Sequence, residues 1–181
     1  AGPIAHKGIQ AGAQAVARLA EAVAKQVGVA PAIIRLKDCL RGQASRDPLS
    51  TLVNRRYMEE TLDREVARAV RKATPLSVIM LDLDNFKTVN DSLGHQAGDR
   101  LLIDAARRLA ACVRDSDLIA RLGGDEFAVL VEESESEDEV LLVAERIANA
   151  LATPFLLNGK EVFVSASIGI ARTSAGDTAD E

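Results

Sequence analysis

Asp82 and Asp84 close the apolar run Leu76-Ser-Val-Ile-Met-Leu-Asp82, with only Leu83 between them. In a strand the side-chain period of two turns both acids to one face and Leu83 to the other. Two carboxylates ending a buried strand cost desolvation energy unless something neutralises them, and a hard divalent cation that prefers oxygen ligands does this well. The alternative is that both acids cap the turn that follows, because Asp and Asn commonly begin turns. Some forty residues further on stands Gly123-Gly124-Asp125-Glu126. Glycine permits positive φ and lets a ligand approach the backbone closely, and two acids follow at once. Read alone, this stretch is equally an ordinary hairpin turn with exposed charges.

The surrounding elements decide whether such residues can meet. Asn54 is placed to cap a helix through Lys72, with Met58, Leu62, Val66 and Val70 on one face and Thr74-Pro75 ending it. The run Leu76–Asp82 reads as an interior strand covered on both faces. A second helix is expected after Gly98, with Leu101, Leu102, Ala105, Leu109 and Val113 at helical spacing. Leu118–Leu122 and Phe127–Val131 read as strands flanking the Gly-Gly-Asp-Glu tip. The acidic stretch Glu132–Glu139 runs as a solvated loop into the capping box Ser136-x-x-Glu139, which opens a helix carrying Val140, Val143, Ile147 and Leu151. Asn158-Gly159, between Phe155–Leu157 and Glu161–Ser167, signals a hairpin. The order β-α-β-β-α-β with an extra hairpin predicts an α/β (α+β) sandwich, with a mixed, mainly antiparallel central sheet flanked by helices.

Residues 1–46 have a different texture. Ile9, Ala13, Val16, Ala20, Val23 and Val27 are spaced by alternating fours and threes, the seam of a coiled coil. A solvent-covered amphipathic helix without a partner fits the same spacing. The expected organisation is a helical connector or dimerisation segment over 1–46 and a catalytic domain over 47–181.

Composition narrows the function classes. A formal charge of −5 argues against bulk electrostatic binding to nucleic acid, but not against a phosphorylated substrate whose charge metal ions offset. Cys39 and Cys112 make no disulfide framework, and no apolar run reaches the roughly 18 residues of a membrane span. A reducing cytoplasm is the expected setting, with no membrane within this segment.

Taken together, these motifs resemble the GGDEF family of diguanylate cyclases. The likeness runs from Arg46-Asp-Pro-Leu49 to Ser165-Ala-Ser-Ile-Gly169, roughly two thirds of the chain. It takes in Asn54-Arg-Arg56, Asp82-Leu-Asp-Asn-Phe-Lys87, Asn90-Asp91, Gly94-His-Gln-Ala-Gly-Asp99 and Arg121-Leu-Gly-Gly-Asp-Glu-Phe127. The resemblance implies a nucleotide cyclase (palm) fold. The implied activity joins two GTP into cyclic di-GMP by attack of a 3′-hydroxyl on an α-phosphate, with Mg²⁺ or Mn²⁺ as cofactor. Asp82 and Asp125, with the carbonyl of Leu83, match the metal ligands. Glu126 matches the second acid of the signature, with a second metal or proton removal as its role. Asp125 and Glu126 are therefore the catalytic candidates. Asn90 and Asp99 match the guanine-binding pair, and their donor and acceptor groups suit that base. Asp99 alone could equally cap the next helix. Asn85, Phe86 and Lys87, with Gly123 and Gly124, match the turns that meet the phosphates.

Arg114 and Asp117 match the family's inhibitory site, where cyclic di-GMP binds and stops the enzyme; in isolation they would be a helix-end ion pair. His95 is expected to be a structural hydrogen-bonding residue. Two departures stand out: Ser50-Thr51 replaces the usual Thr-Gly, and the sequence stops at Glu181, before the helix whose Lys helps hold the triphosphate. The implied enzyme is a homodimer, one GTP per subunit. The rival readings are a non-catalytic module that binds GTP or cyclic di-GMP and signals by contact, and a purely structural dimerisation domain.

Overall fold

The computed structural model of the chain describes residues 45–132, 134 and 136–173. The chain divides into two compact units, Ala1–Ser45 and Arg46–Glu181. The Ile9–Val27 seam and Cys39 lie outside the described residues.

In the second unit, β1 (Val53–Asn54) leads into α1 (Arg55–Lys72), and β2 (Ser77–Leu83) into α2 (Phe86–Leu93) and α3 (His95–Cys112). The hairpin β3 (Leu118–Gly123) and β4 (Glu126–Val131) precedes α4 (Glu137–Ala152). The small hairpin β5 (Phe155–Leu157) and β6 (Lys160–Val162) precedes β7 (Ala166–Arg172). The main sheet has the order β1-β3-β4-β2-β7, with β5-β6 as a separate ribbon. Only β1 and β3 pair in parallel; β3-β4, β4-β2 and β2-β7 are antiparallel. The predicted β-α-β-β-α-β core is therefore β2-α3-β3-β4-α4-β7. In it, α3 and α4 each join two strands with a third lying between them.

One face of the sheet carries most of the core. Ile79, Leu81 and Leu83 of β2 and Phe127, Val129 and Val131 of β4 pack with Leu101, Leu102, Ala105 and Leu109 of α3 and Val140, Val143, Ile147 and Leu151 of α4. On the other face α1 lies over Ala120, Ala128 and Leu130. That cover is partial, and β2 departs from the expected two-sided burial. Ser77, Ile79, Leu81 and Leu83 are buried, whereas Met80 is 43% exposed.

The caps follow the local chemistry. The Asn54 side chain accepts from the Tyr57 N–H at 3.0 Å, and Ser136 accepts from the Glu139 N–H at 3.3 Å. Asn158 and Gly159 both take positive φ, 52° and 76°, as a tight hairpin requires. The buried face of α1 is Met58, Thr61, Glu65 and Ala69, rather than Met58, Leu62, Val66 and Val70. Leu62 and Val66 flank the cluster and Val70 is exposed. Glu65 tolerates this place because Arg64 and Arg68 each donate to it at 3.2 Å. The strand expected over Glu161–Ser167 is divided, its first part pairing with β5 and its last residues opening β7.

Candidate active site

The end of β2 and the β3-β4 turn bring the acidic motifs together. Asp82 pairs directly with Glu126 across β2 and β4, so the two carboxylates leave the sheet on one face. Asp125 lies in the turn, where its carbonyl accepts from the Leu83 N–H at 3.3 Å. Gly123 and Gly124 adopt φ of 145° and 55°, which explains glycine at the tip.

Asp82 and Asp84, alike in sequence, meet different fates. Ser165 Oγ donates to one oxygen of Asp84 at 2.6 Å and Ser167 Oγ to the other at 2.7 Å. The Ser165 hydroxyl, followed by that of Ser167, holds the Asp84 carboxyl below the ordinary carboxylate range. Asp84 is thus tied to β7 rather than capping the turn. Asp82 accepts no side-chain hydrogen bond from a described residue. Partial desolvation, then the facing charges of Asp125, Glu126 and Asp84, push its carboxyl above the ordinary range. Of the two acids, Asp82 is thus the one without a side-chain donor among the described residues and the one repelled by its neighbours.

Two arginines frame the turn, and neither role was read from the sequence. Arg121 donates to the Gly124 carbonyl through Nε at 3.0 Å and Nη2 at 2.7 Å, while its Nη1 reaches Asp47 Oδ1 at 3.0 Å. Arg55 donates to the Leu122 carbonyl at 3.0 Å and to Glu126 Oε2 at 3.1 Å. Arg121 reaches Gly124 within its own turn, but Asp47, and the Leu122 and Glu126 partners of Arg55, lie on distant segments that no local pattern reveals.

A corner not foreseen as a helix carries the other candidates. Asn85, at φ 60°, precedes α2, so Phe86, Lys87 and Asn90 sit on an eight-residue helix rather than an open turn. Helix α3 begins at His95, not after Gly98, with Gly94 in the capping position. Asp99 therefore lies within the helix, and the capping alternative for it falls away. Asn90 Oδ1 lies against Gly98, the residue before Asp99, so closely that a Cβ at 98 would stand 1.9 Å from it. His95 is exposed, with no side-chain hydrogen bond among the described residues, so its expected structural bonding is absent there.

Arg114 and Asp117 lie between α3 and β3, at the opposite end of β3 from Gly123. Their contact is not a side-chain ion pair: Asp117 Oδ2 accepts the Arg114 backbone N–H at 2.9 Å. The guanidinium points instead to Glu139 at 3.6 Å and stays 65% exposed. A cleft lined by Glu65, Arg68, Lys72 and Glu132 opens beside Leu76, at the other end of β2, and shares no residue with the carboxylate cluster.

Among the described residues no three His, Cys, Asp or Glu side chains gather closely enough to cage an ion. Mg²⁺ is usually held by one or two carboxylates plus substrate phosphates rather than by an all-protein cage. The oxygen-only donor set and the unpaired, repelled Asp82 fit such an ion.

The profile of the family described as "Diguanylate cyclase, GGDEF domain" matches residues 44–181. The chain belongs to the GGDEF family of diguanylate cyclases. The GGDEF domain is 44% identical over 128 residues to the bifunctional diguanylate cyclase/cyclic di-GMP phosphodiesterase MucR of Pseudomonas aeruginosa, covering 71% of this chain and 18% of that protein. The solved GGDEF domain of TpbB (or YfiN) from the same species is 42% identical, with a TM-score of 0.68, covering 70% of this chain and 74% of that one. The coiled coil and GGDEF domain of DgcB from Caulobacter crescentus, in complex with c-di-GMP, gives a TM-score of 0.75 at 27% identity, covering 90% of this chain and 84% of that one. The chain spans less than a third of the length of the first curated relatives it matches. These solved structures are GGDEF domains of the cyclase palm fold, as the strand order and flanking helices here also are.

Proposed function

We propose that this chain condenses two GTP into cyclic di-GMP, each bond-forming step releasing one pyrophosphate. The observation that carries the reading is the meeting of Asp82, Asp125 and Glu126 at one sheet corner, with Asp82 raised in pKa and without a side-chain donor among the described residues. A bound Mg²⁺ or Mn²⁺ would stabilise charge on the phosphoryl oxygens and lower the pKa of the attacking 3′-hydroxyl. Asp82, Asp125 and the Leu83 carbonyl would hold that ion. Glu126, steadied by Arg55, would hold a second ion or take the hydroxyl proton. Asn90 and Asp99 would read the guanine edge. Asn85, Phe86 and Lys87 at the start of α2, with Gly123 and Gly124 in the turn, would meet the phosphates.

The product carries two guanosines, and each chain offers one such constellation, so two domains must face each other. The Ile9–Val27 seam is the proposed means of pairing, raising the local concentration of the second domain. Charge placed at Val16 and Val23 should lower turnover most in dilute protein and leave GTP binding per chain nearly unchanged. Arg114 and Asp117 are the proposed inhibitory site for cyclic di-GMP, and the setting is the cytoplasm. Resolving the nucleotides after incubation with GTP and Mg²⁺ tests the function. Cyclic di-GMP is expected. GTP that stays bound but unconverted would instead make the chain a binding module.

A further inference from the structure

The geometry points to Gly98 as a specificity-determining residue: its missing side chain is what allows the Asn90 amide to lie in the α2-α3 corner, against the residue that precedes Asp99. The inference rests on the guanine-reading role proposed for Asn90 and goes beyond it. A Cβ built at Gly98 would stand 1.9 Å from Asn90 Oδ1, 2.9 Å from its Cγ and 3.2 Å from Phe86 Cζ. The first two distances are shorter than real Cβ contacts, so no residue with a side chain coexists with Asn90 in this position.

The backbone gives no other reason for glycine there. Gly94, four residues earlier, has φ 86° and open space where a Cβ would go, so glycine is required there by conformation. Gly98 is the reverse case: it lies inside α3 with ordinary helical φ, and the obstacle is a neighbouring side chain. Glycine in a helix interior is unfavourable relative to alanine. The chain thus gives up helix stability at one buried position, and the closest contact made there is with Asn90, the Phe86 ring edge being the looser one. The main chain fixes the same corner: the Gly94 N–H donates to the Asn90 carbonyl at 2.9 Å and the Gly98 N–H to the Gly94 carbonyl at 3.3 Å. Asn90 can therefore move its amide but not its backbone.

A methyl group at 98 would be accommodated by rotating the Asn90 amide away, since the obstructing atoms are the end of a side chain. The fold should survive, and the amide would leave its place in the α2-α3 corner. Asp99 supplies only acceptors, whereas the Asn90 amide supplies a donor and an acceptor in one plane. Its displacement removes hydrogen bonds to a guanine edge without touching the carboxylates.

The test is a double-mutant cycle of Gly98→Ala and Asn90→Ala, reading the dissociation constants of GTP and ATP with Mg²⁺ and thermal melts of each protein. Each single substitution should weaken GTP by roughly tenfold, the scale of one or two hydrogen bonds, and leave ATP nearly unchanged. The double mutant should bind GTP no worse than Asn90→Ala alone, because Gly98 acts only through Asn90. Gly98→Ala with the parent's GTP affinity, or a Gly98→Ala loss that persists in full beside Asn90→Ala, would overturn the inference while leaving the guanine role of Asn90 intact. Unchanged GTP binding in Asn90→Ala would overturn that role and the inference with it. A Gly98→Ala protein melting well below the parent would place the clash in helix packing instead, and would also count against the inference.

Discussion

Arg121 Nη1 meets Asp47 Oδ1 at 3.0 Å, with the side chains only 12% and 17% exposed. Asp47 stands at the start of the second unit, and Arg121 holds the carbonyl of Gly124 at the tip of the signature turn. The segment entering the domain is therefore fastened to the turn that presents Asp125 and Glu126. Burial raises the Asp47 pKa, but donation from the Ser50 hydroxyl and N–H and from Arg121 outweighs it, leaving the carboxyl below the ordinary range.

Removing Arg121 should therefore be costly twice over. Arg121→Ala leaves Asp47 partly buried without its cation, at a cost on the order of 2–3 kcal/mol, below that of a fully buried pair. It also frees the turn, so kcat should fall in the protein that remains folded. Because the folded Asp47 pKa is depressed, its contribution is present above the ordinary value of 3.8 and lost as pH falls through the lower folded value. Acid melts of parent and Asp47→Asn check this, and the mutant should lose less stability across that interval.

Asp82 has the opposite sign. Its raised pKa means that ionisation opposes folding, so metal-free protein loses stability as pH rises from 3.8 through the raised value. The deficit persists at neutral pH. Asp82→Asn should melt above the parent at pH 7 without metal and lose that advantage below 3.8. It should reduce synthesis by on the order of 10²–10³-fold, the scale for removing one charge-stabilising group from an active site. A mutant that melts at the parent's temperature and turns over normally would contradict both claims.

The contrast between Asp82 and Asp84 marks how far the sequence could be read. Alternation along β2 put both acids on one face, but Ser165 and Ser167 lie more than eighty residues away. The register even sets Ser167 opposite Asp82, yet its hydroxyl turns to Asp84, so only the folded geometry tells which acid the serines occupy. Local signals were legible: Asn158-Gly159, the Ser136 cap and the Asn54 cap all act within a few residues. Helix α2 was hidden because Phe86, Val89 and Leu93 are few apolar positions behind a turn-like Asp84-Asn85. β1 was hidden because two residues of parallel pairing leave no period to detect.

Thr51 stands where the family usually has glycine, and the structure keeps the turn. Its φ is 63°, in the left-handed region that a β-branched residue rarely enters. The Thr51 N–H donates to the Asp47 carbonyl at 3.0 Å, and its carbonyl accepts from Arg46 at 2.7 Å. Thr51→Gly should relieve about 1–2 kcal/mol of backbone strain, offset in part by the flexibility glycine adds to the unfolded chain. A net gain of roughly 0.5–1 kcal/mol, or about 2–4 °C in Tm, is expected. An unchanged or lower Tm would contradict the strain.

Arg114 is mostly exposed and its ion pair to Glu139, at 3.6 Å, is of the kind that adds little stability. Arg114→Ala should leave Tm and initial rate close to the parent's. Progress curves should nonetheless stay linear to higher product levels, since a methyl group cannot stack on a purine or donate to it. Identical product inhibition in the two proteins would remove Arg114 from the regulatory role.

If this chain joins two GTP, the stoichiometry of its products shows it. Pyrophosphate and cyclic di-GMP are quantified together from GTP and Mg²⁺, in parent and Asp82→Asn. Two pyrophosphates per cyclic di-GMP, with both products nearly absent in the mutant, is the predicted result. GTP recovered intact from the parent, or consumed without cyclic di-GMP, would contradict the account.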